Sequence, residues 1–396
     1  MADHIPFITS KEGADFVKRV YPDSDIVRIP LALDRAGEVC PPLLPATTKV
    51  WLHPCVDGMH DPEKRHKTDN WLDFVKDFPH FEKIGTPAYH AKPDAAEVYA
   101  FVKAIMDKCA TQKPTPAWIT VPQLPLVTGS ARNIINRALA RATGKWKSSS
   151  SSFSGRLILP LVLTNQAQTN KKQERTKKVQ QAEWCYREAG ADGLWVVDAS
   201  LTDDNGPLTM RKRFRCLIAL HEELNDRSLS KIRIAGPYWA LNLVLWSRGL
   251  VDYPAIGVSS GYQYFLPGGL ARSPTARIAL PSLRRRVGVG PQLRIWLDAA
   301  NARLAPSHPA HVEFSEIRKQ YTELTGQEQA REQVARFYKE WFNIIAAVPR
   351  AGRSMALFQD LSAAFALGRS LPALGAGERA ARRPEAVAEP LMLSCL

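Results

Sequence analysis

The sequence predicts an α/β protein built as a (β/α)8 TIM-like barrel with a C-terminal helical extension; an open, doubly wound parallel sheet is the alternative. Three observations carry that expectation. Short apolar runs alternate with amphipathic helical stretches between about Ser24 and Leu304, and up to eight such units follow one another. The runs are apolar nearly throughout, as strands buried on both faces are. A strand, a helix and another strand in succession imply parallel pairing, because the crossover must return along the sheet.

In chain order, the expected strands are Ile26 to Leu31, Val50 to Val56, Ala117 to Val121, Leu157 to Leu163, Leu194 to Val197, Ile232 to Ala235, Ala255 to Val258 and Arg277 to Leu280. The clearest helix runs from about Lys171 to Ala189, where Val179, Ala182, Cys185 or Tyr186, and Ala189 recur at spacings of three and four before Gly190 supplies a stop. A second helix places Phe214, Leu217, Ile218, His221 and Leu224 on one face. Further helical patterns cover Ala95 to Lys108, Ala131 to Thr143, Tyr238 to Arg248 and Gln292 to Leu304. The Pro-rich stretch Pro41 to Thr48 reads as a connector, and Lys145 to Gly155, with its run Ser148 to Ser152, as a flexible surface loop.

The pattern changes after Leu304. Val312 to Ala347 carries Phe314, Ile317, Tyr321, Leu324, Val334, Phe337, Tyr338, Trp341 and Ile344 at helical spacings, a stripe expected to pack on the barrel's outside or on a partner subunit. Beyond Leu371 the composition turns to Ala, Gly, Arg, Pro and Glu with little periodicity. The expected organisation is therefore a barrel over 1–304, a helical extension over 305–371 and an unstructured tail over 372–396.

Hydrophobic residues at 45% and charged residues at 23% are ordinary for a globular chain and exclude a disordered or fibrous one. No run of eighteen apolar residues occurs, so no membrane partner is expected. The start MADHIPFITSKEGADF lacks the basic-then-apolar order of a secretory signal, and the six cysteines lack paired spacing. A cytoplasmic protein with reduced thiols is the expectation.

The formal net charge is +14, which favours polyanions as partners. In a barrel, the loop after each strand and the next helical turn lie at the substrate mouth. Dense basic groups fall there: Lys171, Lys172 and Arg175; Arg211, Lys212 and Arg213; and Arg284, Arg285 and Arg286. Arg132, Arg137, Arg141 and Lys145 form one further basic stripe. One phosphate needs only one such group, so the excess points to a nucleotide or nucleic acid.

Strand ends should carry the chemistry. Two carboxylates, Asp57 and Asp198, stand there, with Gln123, Asn165 and Gln166 as polar neighbours. Such a pair can divide the roles of acid and nucleophile at a glycosidic bond, since one must be protonated and the other ionised. His53, Cys55 and Asp57 share one strand face, with His60 in the following loop. A divalent metal held by His53, Cys55 and His60 is the alternative to a site without a cofactor.

The glycine- and hydroxyl-rich segment IGVSSGYQYFLPGG, Ile256 to Gly269, follows a strand where many barrels bind phosphate. Ser259, Ser260 and Gly261 can present amides and hydroxyls to an oxyanion, while Tyr262, Gln263 and Tyr264 can stack on and bond a base. The pattern S-S-G-Y-Q at Ser259 to Gln263 resembles the serine-glycine-glycine-phenylalanine-glutamine loop of tRNA-guanine transglycosylases, basic barrels that exchange a base using aspartates. The family has this loop early, directly after a catalytic aspartate, whereas Val258 stands in that place here. The family's cysteine-rich zinc site is also missing, so no family residue is carried over.

There is no G-x-G-x-x-G after a strand, no G-x-x-x-x-G-K-[ST], no H-E-x-x-H and no G-x-S-x-G. The expectation is a barrel enzyme acting on a phosphate-bearing nucleotide or nucleic acid, a glycosidic-bond transferase or hydrolase. Asp198 is its nucleophile or base, Asp57 its acid, and Arg284 to Arg286 its phosphate contacts. A metal-dependent hydrolase is one alternative. The other is a non-enzymatic nucleic-acid-binding subunit that holds a protein partner, or a second copy, through 312–347.

Overall fold

A computed structural model describes residues 4–8, 11–31, 44–45, 47–60, 75–126, 130–150, 153–164, 171–201, 207–257, 262, 264, 276–374 and 383–396. Eight parallel strands close into a ring in chain order: β1 Ile5–Phe7, β2 Ile26–Pro30, β3 Lys49–His53, β4 Trp118–Thr120, β5 Arg156–Leu163, β6 Gly193–Asp198, β7 Ile232–Ala235 and β8 Tyr253–Gly257. Closure comes from β8 on β1, with Ile5 opposite Ala255 and Phe7 opposite Gly257. The chain is a (β/α)8 barrel. Helices Lys11–Val20, Ala95–Ala110, Ser130–Ser149, Lys172–Ala189, Pro207–Asp226 and Leu241–Ser247 surround it.

The number of strands agrees with the sequence expectation, but their identity does not. The first ring strand is Ile5-Pro6-Phe7, three residues with a central proline, too short to show any period. The expected eighth strand lies outside the ring. It is β9 Arg277–Leu280, paired antiparallel with β10 Arg285–Gly288.

The ring is filled, not hollow. Phe7, Trp51 and Trp195 meet edge to face at centroid distances of 5.4 to 5.6 Å, and Trp118 joins through Trp51 and Tyr253. Such pairs contribute about 0.5–1.5 kcal/mol each beyond the area they bury. Both central indoles have acceptors: Trp51 Nε1 donates to Thr120 Oγ1 at 2.8 Å and Trp195 Nε1 to the Gly236 carbonyl at 2.7 Å. Gly193 is required by this crowding, because a Cβ there would stand 2.5 Å from Ile158 Cδ1 and 3.1 Å from Ile232 Cβ.

Two helix ends follow their sequence signals. Asp94 caps Ala95–Ala110 by accepting from the Ala96 and Glu97 amides at 2.9 Å, and Gly190 ends Lys172–Ala189 at φ 58. The loop expected at Lys145 to Gly155 is a correction. The helix Ser130–Ser149 runs through its first half, anchored by buried Trp146, whose Nε1 donates to Asp107 Oδ1 at 2.8 Å. The hydroxyls of Ser148 and Ser149 bond back to the carbonyls three residues earlier, so a serine run is compatible with a helical end.

A second core lies beside the ring. Ile278, Leu280 and Leu283 of the β9–β10 hairpin pack with Leu293, Trp296 and Leu297 of Pro291–Asn301, and with Phe314 and Ile317 of Pro309–Lys319. The helix Gln327–Ala346 joins the two cores: Ala330 belongs to the second, whereas Phe337, Tyr338, Trp341 and Phe342 belong to the first. Its aromatic stripe thus covers the barrel, with Trp239 5.6 Å from Tyr338. The tail expected to be unstructured carries a helix, Ala388–Met392, whose Ala388 and Leu391 are buried. Its few apolar residues are spaced to meet the helix Arg353–Ser370, a packing that bulk composition hides. Among the described residues, no helix is long and apolar enough to cross a membrane.

Candidate active site

Strand alternation turns Trp51 of β3 inward and His53 with it. Arg28 of β2, in register with Trp51, also faces the interior, its guanidinium 4.8 Å from the Phe7 ring centroid and 5.6 Å from that of Trp195. After β3 the chain turns through Cys55, at φ 60, into the short 3-10 helix Val56–His60, which brings Asp57 back over His53. Tyr264, beyond β8, completes the group, its ring 5.1 Å from that of Trp195.

These four side chains form one network. His53 Nε2 lies 3.0 Å from Asp57 Oδ1 and 3.2 Å from the Tyr264 hydroxyl. The Tyr264 hydroxyl donates to Asp57 Oδ2 in a short bond, and Arg28 Nη2 donates to the Tyr264 oxygen at 3.5 Å. Relative exposures are 3% for Arg28, 2% for His53, 1% for Asp57 and 4% for Tyr264. Nε2 of His53 faces two acceptors, since the phenol points its hydrogen at Asp57, and so Nε2 carries the imidazole hydrogen. The lone pair then resides on Nδ1, which is buried and has no hydrogen-bond partner among the described residues.

The charges follow from the surroundings. Burial, then the Arg28 charge, depress the His53 pKa to about 4 against the opposing pull of Asp57, so the ring is neutral at neutral pH. For Asp57 burial works upward, but His53, the Tyr264 hydrogen bond and Arg28 together hold the carboxyl below its usual range. Burial first, and Asp57 next, raise Tyr264 well above the ordinary phenol value. The network therefore holds one cation, one anion, a neutral imidazole and a phenol. An ionised Asp57 can orient a base or accept a proton; the acid role expected of it requires the opposite state.

Asp198 is placed differently. Three residues beyond inward-facing Trp195, it turns away from the interior and accepts from Arg213 Nη1 at 2.9 and 3.2 Å, Arg213 lying on Pro207–Asp226. It also accepts from the Ser200 amide at 2.9 Å and hydroxyl at 2.5 Å, while its own amide donates to the Tyr238 hydroxyl at 2.5 Å. It does not join Asp57 in the network described above.

Gln123 serves a fastening role, its Nε2 donating to the Pro122 and Asn136 carbonyls at 2.9 and 3.0 Å. The arginine triplet lies on the β9–β10 hairpin and not after a ring strand. Arg284 grips Asp360 at 2.8 and 2.5 Å, and Arg285 donates to the Arg383 and Pro384 carbonyls at 2.5 and 3.2 Å. Arg286 stacks 4.7 Å from the Tyr262 ring and 5.1 Å from the Trp239 ring. Arg175 pairs with Glu223 at 3.0 Å, and on the outer stripe Arg137 and Arg141 lie over Trp184 at 5.0 and 4.6 Å. Much of the expected basic mouth is thus engaged within the chain.

Asn165, Gln166, Ser259, Ser260, Gly261 and Gln263 lie outside the described residues, as does the side chain of His60. Cys55 Sγ donates to the His53 carbonyl at 3.4 Å. Among the described residues, no three His, Cys, Asp or Glu side chains form a group that could hold a metal ion.

Arg28 escaped the sequence reading. Its signal is a lone guanidinium inside the otherwise apolar run Ile26-Val27-Arg28-Ile29. Comparison with known proteins finds no family model and no curated protein that matches the chain.

Proposed function

We propose that the chain is an enzyme that performs acid–base chemistry at the C-terminal ends of its ring strands, with His53 as the base. The observation that carries this reading is the imidazole itself: neutral, fixed through Nε2 by an ionised Asp57, with a buried Nδ1 that no group among the described residues satisfies. A proton taken up at Nδ1 creates an imidazolium against Asp57, whose charge offsets part of the cost that burial and Arg28 impose on it. Tyr264 keeps the carboxylate in place through its donated hydrogen bond. The phosphate-bearing substrate expected from the sequence suits a ring interior that also holds Arg28. Two-carboxylate glycosidic cleavage fits less well, because Asp198 is committed to Arg213 and Ser200.

The test is depletion of small molecules from a metabolite extract, followed by mass spectrometry, with wild-type protein and with His53→Gln. The expected outcome is turnover by the wild type and a loss of about 10²–10⁴-fold in His53→Gln, the range that one general base supplies. Turnover unaffected by His53→Gln, or none by the wild type, contradicts the proposal.

A further inference from the structure

We infer that Arg28 is the seat of a compact oxyanion, a carboxylate or phosphate group of the molecule on which His53 acts. The use of this seat in turnover rests on the acid–base reading above; its binding of an anion does not.

The argument is one of unsatisfied charge. Among the described residues no carboxylate lies within ion-pair distance of Arg28, and its Nε has no hydrogen-bond partner. Three other buried or half-buried arginines do meet carboxylates, Arg213 with Asp198 at 2.9 Å, Arg284 with Asp360 at 2.5 Å and Arg233 with Asp252 at 2.7 Å, whereas buried Arg285 donates to the Arg383 and Pro384 carbonyls. Arg28 instead has one long hydrogen bond, to Tyr264, and the faces of Phe7, Trp195 and Tyr264 at 4.8 to 5.6 Å. Those rings hold the guanidinium plane and offset part of its desolvation, but they accept none of its directional N–H bonds. Asp57 is held one phenol away, bonded to the Tyr264 hydroxyl and not to the guanidinium. A planar fork with open donors matches a carboxylate or phosphate in two parallel hydrogen bonds, which a point charge cannot reproduce. The neighbouring imidazole, already influenced by the Arg28 charge, would lie beside whatever the anion carries.

Inorganic phosphate and acetate are the probes, titrated at low ionic strength against wild type, Arg28→Lys, Arg28→Met and His53→Gln, each checked for folding by circular dichroism. The expected result is saturable binding by the wild type, about tenfold weaker in Arg28→Lys and about a hundredfold weaker in Arg28→Met, with His53→Gln close to wild type. Binding unchanged in Arg28→Met, or none in the wild type, overturns the inference. Loss of turnover in His53→Gln together with absent anion binding would leave the acid–base reading standing and remove only this seat. Should Arg28→Met not fold, phenylglyoxal modification of the wild type decides. Peptide mass spectrometry is expected to find Arg28 modified and protected by saturating phosphate. An Arg28 that never reacts, or reacts equally with phosphate present, rules the seat out.

Discussion

Arg28 and Arg213 are both buried arginines of the same barrel, yet their surroundings have opposite character. Arg213 meets the Asp198 carboxylate and the Ser200 hydroxyl, and the Asp198 amide is itself bonded to Tyr238. Arg28 faces three aromatic rings and one hydroxyl, beside an imidazole with an open nitrogen. The difference separates a charge paired with a carboxylate from the charge for which an anion is proposed. Strand-end position alone does not make that distinction; a carboxylate within ion-pair distance does.

The comparison breaks most visibly on stability. Replacing Asp198 by Ala strands the Arg213 charge in the interior, and the expected loss is about 3–5 kcal/mol in a denaturant titration. Arg28→Met removes a charge that has no direct counter-ion among the described residues, and is expected to lie within about 1 kcal/mol of wild type or above it, since an apolar side chain of similar volume suits a buried site. Equal losses in the two variants would erase the contrast.

Acid provides the next test. Burial lowers His4 to about 4, His53 to about 4 and His221 to about 3, from 6.5 in the unfolded chain. Below pH 6.5 the unfolded chain therefore binds protons that the folded chain refuses, and stability falls as pH falls towards 4. Each ring contributes on the order of 3 kcal/mol to that fall at 1.36 kcal/mol per unit. His221→Phe is expected to flatten the slope of stability against pH between 6.5 and 4, read by chemical denaturation across that range.

Gly193→Ala sharpens the claim that the ring is filled. A Cβ there meets Ile158 and Ile232, and the expected cost is about 1–3 kcal/mol, seen as a lower denaturation midpoint. Tyr264→Phe is expected to cost about 1–2 kcal/mol, because one buried acceptor loses its donor. Its diagnostic effect is on pH dependence. Without the phenol, Asp57 protonates at higher pH, and the acid limb of the activity profile moves upward.

Much of the ring was legible because a strand buried on both faces has a continuous apolar run, as in Leu157 to Leu163. The strand total came out right through two opposite errors. Ile5-Pro6-Phe7 carries too few residues to show a pattern, and Arg277–Leu280 has an apolar pattern but pairs with a hairpin partner. His53 and Asp57 were legible as strand-end polar groups four residues apart. Their union with Tyr264, 207 residues beyond Asp57, exists only after β8 closes on β1. Asp198 looked equivalent to Asp57 in the sequence, and the alternation from Trp195 that turns it outward needs an inward reference that only the folded ring supplies.

A ¹⁵N-correlated imidazole titration of the folded protein tests the proposed base most directly, because it reads the protonation and tautomer of His53 without reference to any substrate. The account predicts a hydrogen on Nε2, a lone pair on Nδ1 and a midpoint near 4. A hydrogen on Nδ1, or a midpoint at or above 6.5, would contradict it.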